Sequence, residues 1–270
     1  PRITSVATNG SGGLTIIGTG TPAAQLALNA TTNLSNPANW SFRSTVIPNG
    51  SGVFTFNEPN ISTPTNRFYK LATAPQLPTN LVTWWRAESN YLDSFGGNHG
   101  SASGVAPSFT NGQRGLAFSF NGTNQAMLTP GAAIPVPWTA AFWVKRADAV
   151  DPSAALLADT VSGLKLEQGG GLRRVGFTLF NVQGYSFNYT APTNVWTHLA
   201  FVASGSGTVL YTNGVAADTN VATVSLPLLI MGSRPNGADK LKGLVDETTL
   251  FNRALTPAEI QQVINATRGP

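Results

Sequence analysis

The chain has 270 residues, a formal net charge of +4, no cysteine and only 10% charged residues. Its hydrophobic content of 41% excludes a disordered chain, and the low charge excludes a coiled coil. No apolar run reaches the roughly 18 residues of a membrane helix, so no membrane insertion is expected. The absence of cysteine excludes disulfides and thiolate chemistry. With 28 Gly and 18 Pro, the composition is typical of a turn-rich β protein.

The pI near 9.6 does not indicate a nucleic-acid-binding protein. Adjacent basic residues occur at Lys145-Arg146 and Arg173-Arg174, without a basic stripe that is interleaved with aromatic residues. In a chain with so few charges, a small surplus shifts the pI strongly. We therefore expect no nucleic-acid partner.

The first part of the chain, residues 1–74, consists of short alternating segments separated by turn signals such as Asn49-Gly50. Apolar residues on alternate positions and the absence of a helical period predict β-strands. A small antiparallel β-sandwich is therefore expected, with strand segments at 3–6, 14–17, 25–28, 40–42, 53–56 and 67–71.

A proline-containing linker is predicted at residues 75–80, because two prolines and no strand pattern occur there. Residues 81–270 form a second, larger strand-rich unit. One helix is expected at 256–265, since Thr256 and Glu259 form a capping box around Pro257. The strand segments of this unit are 81–86, 115–120, 140–145, 174–180, 196–203, 208–212, 228–231 and 243–251.

Several segments of the second unit, taken in order, resemble the segments of a known family. They are 81–88 with 93–100, 117–124, 141–145, 196–200, 210–214, 243–247 and 251–256. In this order they resemble a bacterial laminin-G-like domain of the concanavalin A-like lectin/glucanase superfamily. The resemblance implies an all-β fold, a jelly-roll β-sandwich of two antiparallel sheets.

Residues 1–74 resemble the small Ig/fibronectin-like modules that precede such domains, through Trp40 and the segment 67–69. These resemblances imply an exported bacterial protein at an extracellular or cell-surface location. The chain is expected to act as a monomer or as part of a larger multidomain polypeptide.

Carboxylates are too scattered to predict a hydrolase. Glycoside hydrolysis needs two carboxylates across the scissile bond, and glucanases of this superfamily carry them in a Glu-x-Asp-x-x-Glu strand pattern. That pattern is absent, and the adjacent pair Asp246-Glu247 should point to opposite faces of a strand. His99 and His198 match family pattern positions, where structural roles are favoured over a general base. No catalytic residue is predicted.

Calcium is the cofactor that the resemblance implies. Asp93 and Asn98, in a glycine-rich loop, supply oxygen ligands of the kind that Ca²⁺ prefers, and Asp246 is a candidate second carboxylate. The alternative is that Asp93 and Asn98 stabilise a tight turn through backbone N–H groups. Asp246 would then anchor a loop or pair with Arg253. Both interpretations stay open at this point.

Carbohydrate binding requires exposed aromatic rings beside hydrogen-bonding side chains. Trp84 is expected in the core, so its neighbour Trp85 should point to the opposite face. Trp138 lies just before a strand. Further along, Tyr185 and Tyr189 share one face of an alternating segment, which is either a sugar-stacking surface or a part of the core. The candidate carbohydrate-binding residues are Trp85, Trp138, Arg173, Tyr185, Asn188 and Tyr189.

Together these patterns favour a non-catalytic, lectin-like carbohydrate-binding module whose partner is a polysaccharide or another glycan. The first alternative is a structural or adhesion spacer of a large surface protein. The second is a polysaccharide-degrading enzyme of the hydrolase or lyase type.

Overall fold

The computed structural model describes residues 1–9, 13–22, 26–32, 34, 40–58, 67–73, 76–148 and 152–269. Contacts divide the chain into two compact units, the first built from Pro1–Gln76 and the second from Leu77–Arg268. The division falls inside the segment 75–80, of which residue 75 lies outside the described residues.

The first unit contains two antiparallel sheets in its described part. Their strand orders are β1-β2-β5 and β4-β3-β6. Apolar side chains from both sheets form its core, with Ile16 and Leu28 fully buried. The Ig/fibronectin likeness of this unit stays a prediction. Its strands are β1 (Arg2–Thr8), β2 (Leu14–Thr19), β3 (Leu26–Thr31), β4 (Ser41–Val46), β5 (Val53–Glu58) and β6 (Phe68–Thr73).

The second unit is built almost entirely from antiparallel strands, which confirms the all-β prediction. A short 3-10 turn, Gly170–Leu172, interrupts the strands. The strands described in this unit are β7 (Leu81–Trp85), β8 (Ser101–Ala102), β9 (Ser108–Asn111), β10 (Leu116–Asn121), β11 (Met127–Leu128), β12 (Trp138–Arg146), β13 (Ala154–Ala158), β14 (Ser162–Gln168), β15 (Arg174–Leu179), β16 (Gln183–Ser186), β17 (Trp196–Ser204), β18 (Gly207–Thr212), β19 (Val215–Asn220), β20 (Ile230–Met231) and β21 (Lys242–Phe251).

These strands form two sheets with one large apolar core. The front sheet has the order β16-β15-β14-β13-β20-β11-β8. The back sheet has the order β19-β18-β17-β12-β21-β10-β9, with β7 paired to β21. Alternate side chains of both sheets meet in the core, among them Phe142, Phe177 and Phe201. This arrangement is the two-sheet β-sandwich that the resemblance implies.

The helix α1 (Pro257–Thr267) covers the outer face of the back sheet. Thr256 accepts the backbone N–H of Glu259 and the Glu259 side chain bonds back to Thr256, as the capping box predicts. Ile260 and Val263 are fully buried against apolar residues of the back sheet. Among the described residues, no helix has both the length and the apolar character needed to cross a membrane.

Candidate functional site

A charged pair lies on the outer face of the front sheet. Leu164 and Leu166 of β14 point into the core, so Lys165 between them points outward. Lys165 is nevertheless only 2% exposed. It forms an ion pair with Asp239, and its Nζ donates to Ser153 Oγ at 3.0 Å. The 232–241 loop, which carries Asp239, therefore fixes a buried ammonium group on this face.

An arginine lies over an aromatic ring beside this pair. The Phe180 ring covers Gly163 of β14, where a Cβ atom would lie 2.9 Å from the ring Cζ. Arg234 stacks on Phe180, with 3.7 Å from the guanidinium carbon to the ring centroid. Its Nε lies 3.8 Å from Asp239 Oδ2. Within the described residues, no protein acceptor bonds the two terminal nitrogens of this guanidinium.

Gln168 forms a polar floor that extends across β15 to β16. Its Nε2 donates to the Tyr185 carbonyl at 2.8 Å and to Ser186 Oγ at 3.1 Å. Its Oε1 accepts from Thr178 Oγ1 at 2.7 Å. Gly176 permits this crossing, because a Cβ there would lie 2.1 Å from the Gln168 Nε2. Each hydrogen-bonding group of the Gln168 amide is therefore held in place.

The end of β14 carries a buried ionic cluster that connects the two sheets. Arg146, the last residue of β12, places Nη1 2.6 Å from Glu167 Oε1 and donates Nε to the Ala191 carbonyl at 2.8 Å. Arg173 Nη1 lies 3.2 Å from the same Glu167 oxygen. Its backbone is left-handed, with φ 48°, which is uncommon for arginine. The predicted role of Arg173 toward a sugar stays a prediction, with its side chain 25% exposed.

The two tryptophans proposed for sugar stacking are both buried. Trp85 is 0% exposed and donates Nε1 to the Asn98 carbonyl at 2.8 Å. Trp138 is also 0% exposed and donates Nε1 to the Val224 carbonyl at 2.8 Å. The prediction of exposed rings was wrong for both, because β7 and β12 turn these side chains into the core. Trp84 is the partly exposed member of its pair.

The tyrosine segment alternates as expected, and the shared face packs against the core. Tyr185 stacks on Phe177 with 5.1 Å between ring centroids, and Phe187 is fully buried. Tyr189 also packs against this cluster. Both tyrosines therefore contact the core and are partly exposed. Asn188 is exposed, and its backbone N–H donates to Asp218 Oδ2 at 2.7 Å.

The loop at 93–100 has the geometry of a hydrogen-bonded turn. Asp93 accepts backbone N–H bonds from Trp84 and Phe95 at 2.9 Å and from Asn98 at 3.2 Å. The Asn98 amide donates to Thr83 Oγ1 at 2.6 Å. In the part of the chain that the structure describes, Asp93 and Asp246 share no hydrogen-bond partner. The interpretation that Asp93 stabilises a turn accounts for these contacts.

A β-bulge carries Asp246 and Glu247. The register between β12 and β21 shifts near these residues, and Glu247 has φ 48°. A bulge of this kind redirects side chains. Asp246 lies opposite Trp143, which packs with the residues of α1. Glu247 accepts a hydrogen bond from Nε1 of Trp84, whose neighbour Trp85 points into the core. The expectation of opposite faces therefore fails. Arg253 does not bond Asp246, since its guanidinium pairs with Glu259 at 2.6 Å.

Burial raises the pKa of both carboxyl groups of this bulge. The pKa of Asp246 is raised to about 7, mainly by desolvation. Backbone N–H bonds from Arg114, Glu247 and Gln113 oppose the shift, and the charge of Glu88 adds to it. Desolvation raises the pKa of Glu247 to about 8, against the opposing charge of Arg86. Trp84 Nε1 donates to Glu247 Oε2 at 2.6 Å. Both carboxyl groups lie at most 1% exposed.

Neither histidine has the environment of a general base. His198 is 1% exposed, and burial lowers its pKa to about 3. Its ring packs edge-on against the Trp143 ring, with 5.2 Å between the ring centroids. His99 is exposed and accepts the Asp93 backbone N–H through Nδ1 at 3.1 Å.

A comparison with protein families shows the class to which this sandwich belongs. A laminin-G family model, described as the concanavalin A-like lectin/glucanases superfamily, matches residues 120–261, more than half of the chain. The chain belongs to this superfamily. A search of curated proteins gave no match.

Solved structures share the fold at low sequence identity. Domain 4 of AbnA, an extracellular arabinanase from Geobacillus stearothermophilus, in complex with arabinotriose, is 20% identical, with a TM-score of 0.57 over 68% of this chain and 98% of that chain. Trypanosoma rangeli sialidase with the inhibitor DANA is 12% identical, with a TM-score of 0.52 over 97% of this chain and 52% of that chain. The binding domain of botulinum neurotoxin serotype D is 14% identical, with a TM-score of 0.50 over 68% of this chain and 50% of that chain. At these identities, the likeness shows the fold alone.

Proposed function

We propose that the chain is a non-catalytic glycan-binding module of an exported protein, and that the outer face of the front sheet holds the glycan. The observation that carries the proposal is the polar floor. The buried Gln168 amide fixes the hydroxyl groups of Thr178 and Ser186, which are partly exposed and present hydrogen-bonding groups on the sheet surface. Sugars are bound by such preplaced polar groups.

The fold supports this proposal. The superfamily contains lectins and glucanases, and a domain of the same architecture was solved with arabinotriose. Because one sandwich serves several functions, the residues of the site have to carry the argument. In this chain they are hydrogen-bonding and charged groups, and the carboxyl groups with raised pKa values lie on the other sheet.

A steric variant tests the location of the site. Gly184 of β16 lies beside the floor, where a Cβ would be 3.5 Å from Thr178 Oγ1, an ordinary contact. Gly184→Leu is therefore expected to fold normally and to abolish glycan binding on an array. The matched control is Gly205→Leu, because nothing lies within 4 Å of a Cβ at that back-sheet turn. Equal binding by both variants would place the site elsewhere, and no binding by the native chain would favour a spacer role.

A degrading enzyme is the second candidate, which the raised pKa values of Asp246 and Glu247 favour, since catalytic acids are tuned in this way. Both groups are enclosed, however, whereas a general acid has to reach the glycosidic oxygen. We expect no new reducing ends and no unsaturated uronates when the chain is incubated with polysaccharides. Product formation that Asp246→Asn abolishes would establish the enzyme instead.

The proposal includes a calcium ion at Asp246, with Glu88 as its partner carboxylate in place of Asp93. Asp246 Oδ1 is buried without a hydrogen-bond partner in the described structure, and Glu88 adds to its raised pKa. The described residues contain no group of three or more His, Cys, Asp and Glu that could hold a metal. Backbone carbonyls and water would therefore supply the remaining oxygens, as is common for Ca²⁺.

Calcium is expected to raise the melting temperature, because a ligand that binds only the native state stabilises it. The measurement compares Ca²⁺ with a chelator for the native chain, Asp246→Asn and Asp93→Asn. The shift should vanish in Asp246→Asn and persist in Asp93→Asn. The reverse pattern would show that the ion binds at the 93–100 loop instead. If the melting temperature of the native chain is the same with Ca²⁺ and with chelator, calcium binding is refuted.

A further inference from the structure

We propose that the ligand of the front-sheet face is an acidic glycan, one that carries carboxylate groups such as those of uronic acids. This inference rests on the proposed glycan-binding function and specifies its ligand class. The geometry that carries it is the set of cationic groups on the outer face, Arg174, Lys165 and Arg234, which we call the cationic strip.

The cationic strip has a surplus of positive charge. Lys165 and Arg234 both lie next to one carboxylate, Asp239. Arg174 pairs in register with Gln168 and shares the face of Gly176, two residues further along β15. The nearby acid on its side is Asp218, whose pKa it helps to lower. Among the described residues, these three cations thus lie beside two carboxylates, and one of these, Asp218, is already bonded by two backbone N–H groups. Because Lys165 is buried, Arg174 and Arg234 are the two cations that a ligand can reach.

Arg234 is the group best prepared for an anion. Stacking on Phe180 at 3.7 Å fixes the plane of its guanidinium, and the Arg234 backbone N–H bonds the Ala238 carbonyl at 2.8 Å. The side chain is 26% exposed. Its terminal nitrogens, which bond no acceptor in the described residues, form a fork that matches the two oxygens of a carboxylate.

The face is poorly suited to stacking on neutral sugars. The aromatic ring described there, Phe180, is 7% exposed and covered by Arg234. Tyr185 of β16 and Tyr189, which follows this strand, pack against the core. Recognition on this face therefore depends on hydrogen bonds and charge, and charge-assisted hydrogen bonds are stronger than neutral ones.

The strip also differs from a nucleic-acid-binding surface. Such surfaces combine many cations with aromatic rings on which bases stack. Here the cations are few, and two of them already contact a carboxylate. A sugar acid, which presents isolated carboxylates among hydroxyl groups, matches both the cations and the polar floor at Gln168.

The test measures calorimetric binding of polygalacturonate and of the same polymer after its carboxyl groups are reduced to alcohols. We expect binding of the acidic form to be at least about tenfold tighter and to weaken as salt is added. Arg234→Gln and Arg174→Gln should each weaken the acidic form by about tenfold. Arg268→Gln, at the exposed end of α1, is the matched control for lost charge and should leave binding unchanged.

Each outcome decides one of the two proposals. Equal affinity for both forms, or for a neutral arabinan, would overturn the acidic-glycan inference and leave the glycan-binding function in place. Tight binding of polyglutamate would also overturn it, because the strip would then respond to charge alone. If neither polymer form binds and a glycan array is also blank, the proposed function fails as well.

Discussion

Glu167→Gln is expected to lower the free energy of unfolding by about 3–5 kcal/mol, the usual cost of removing one partner from a buried ion pair. The exposed fractions of the Glu167 and Arg146 side chains are 1% and 8%. Without the carboxylate, Arg146 keeps its charge inside the protein and loses its strongest partner, while Arg173 loses the same oxygen. Because Arg146 and Glu167 belong to different sheets, the loss of this ion pair weakens the connection between the two sheets. Urea denaturation monitored by tryptophan fluorescence measures the change.

Asp148→Asn is the matched control for this variant. Asp148 also lies near Arg146, at 3.8 Å, but its side chain is 81% exposed. Exposed ion pairs contribute little, so the expected change is within about 0.5 kcal/mol. If both variants lose the same stability, or if neither does, then the burial of Glu167 does not determine the strength of this cluster.

Acidification from pH 6.5 toward pH 3 is expected to destabilise the second unit through His198. Burial lowers the folded-state pKa of His198 to about 3, whereas the unfolded value is near 6.5. Between these values the unfolded chain binds a proton that the native chain does not bind. Stability contributed by neutral His198 is therefore present above pH 6.5 and lost as the pH falls, by at most about 1.4 kcal/mol per pH unit.

The measurement is the unfolding free energy at several pH values for the native chain and for His198→Leu. The carboxyl groups titrate in both proteins, so the difference between the two free energies isolates His198. That difference, native chain minus variant, should fall as the pH drops from 6.5 to 4. A slope unchanged in His198→Leu would show that this histidine is not buried in its neutral form.

Much of the architecture follows from local sequence signals. Alternating residues such as those of Val53–Glu58 become strands, and the capping box at Thr256 and Glu259 begins the helix. These features depend on neighbours within a few residues, so that sequence alone carries them. The strand Ala154–Ala158 was missed because its Ala-Ala-Leu-Leu-Ala run favours a helix by propensity, and pairing with β14 and β20 overrides that preference.

The site was harder to predict because it depends on which face of a strand is buried. Alternation placed Trp84 and Trp85 on opposite faces, as the structure has them, but it could not assign which face is the core. The bulge at Asp246 and Glu247 depends on the partner strand β12, which no local pattern shows. Lys165 is an exception, because its position between Leu164 and Leu166 predicts that its side chain points away from the core. Arg234 and Asp239 lie in a loop whose place over the sheet follows from tertiary packing.

The crossing of Gln168 over Gly176 has an energetic consequence for any ligand of this face. A free glutamine side chain loses rotational entropy when it is ordered on binding, which weakens association. Here folding has already removed that freedom, because three hydrogen bonds hold the Gln168 amide in place. The Arg234 guanidinium is restricted in the same way by the Phe180 ring. A glycan on this surface would therefore meet a preorganised set of partners, and the main ordering on association would be that of the sugar chain itself.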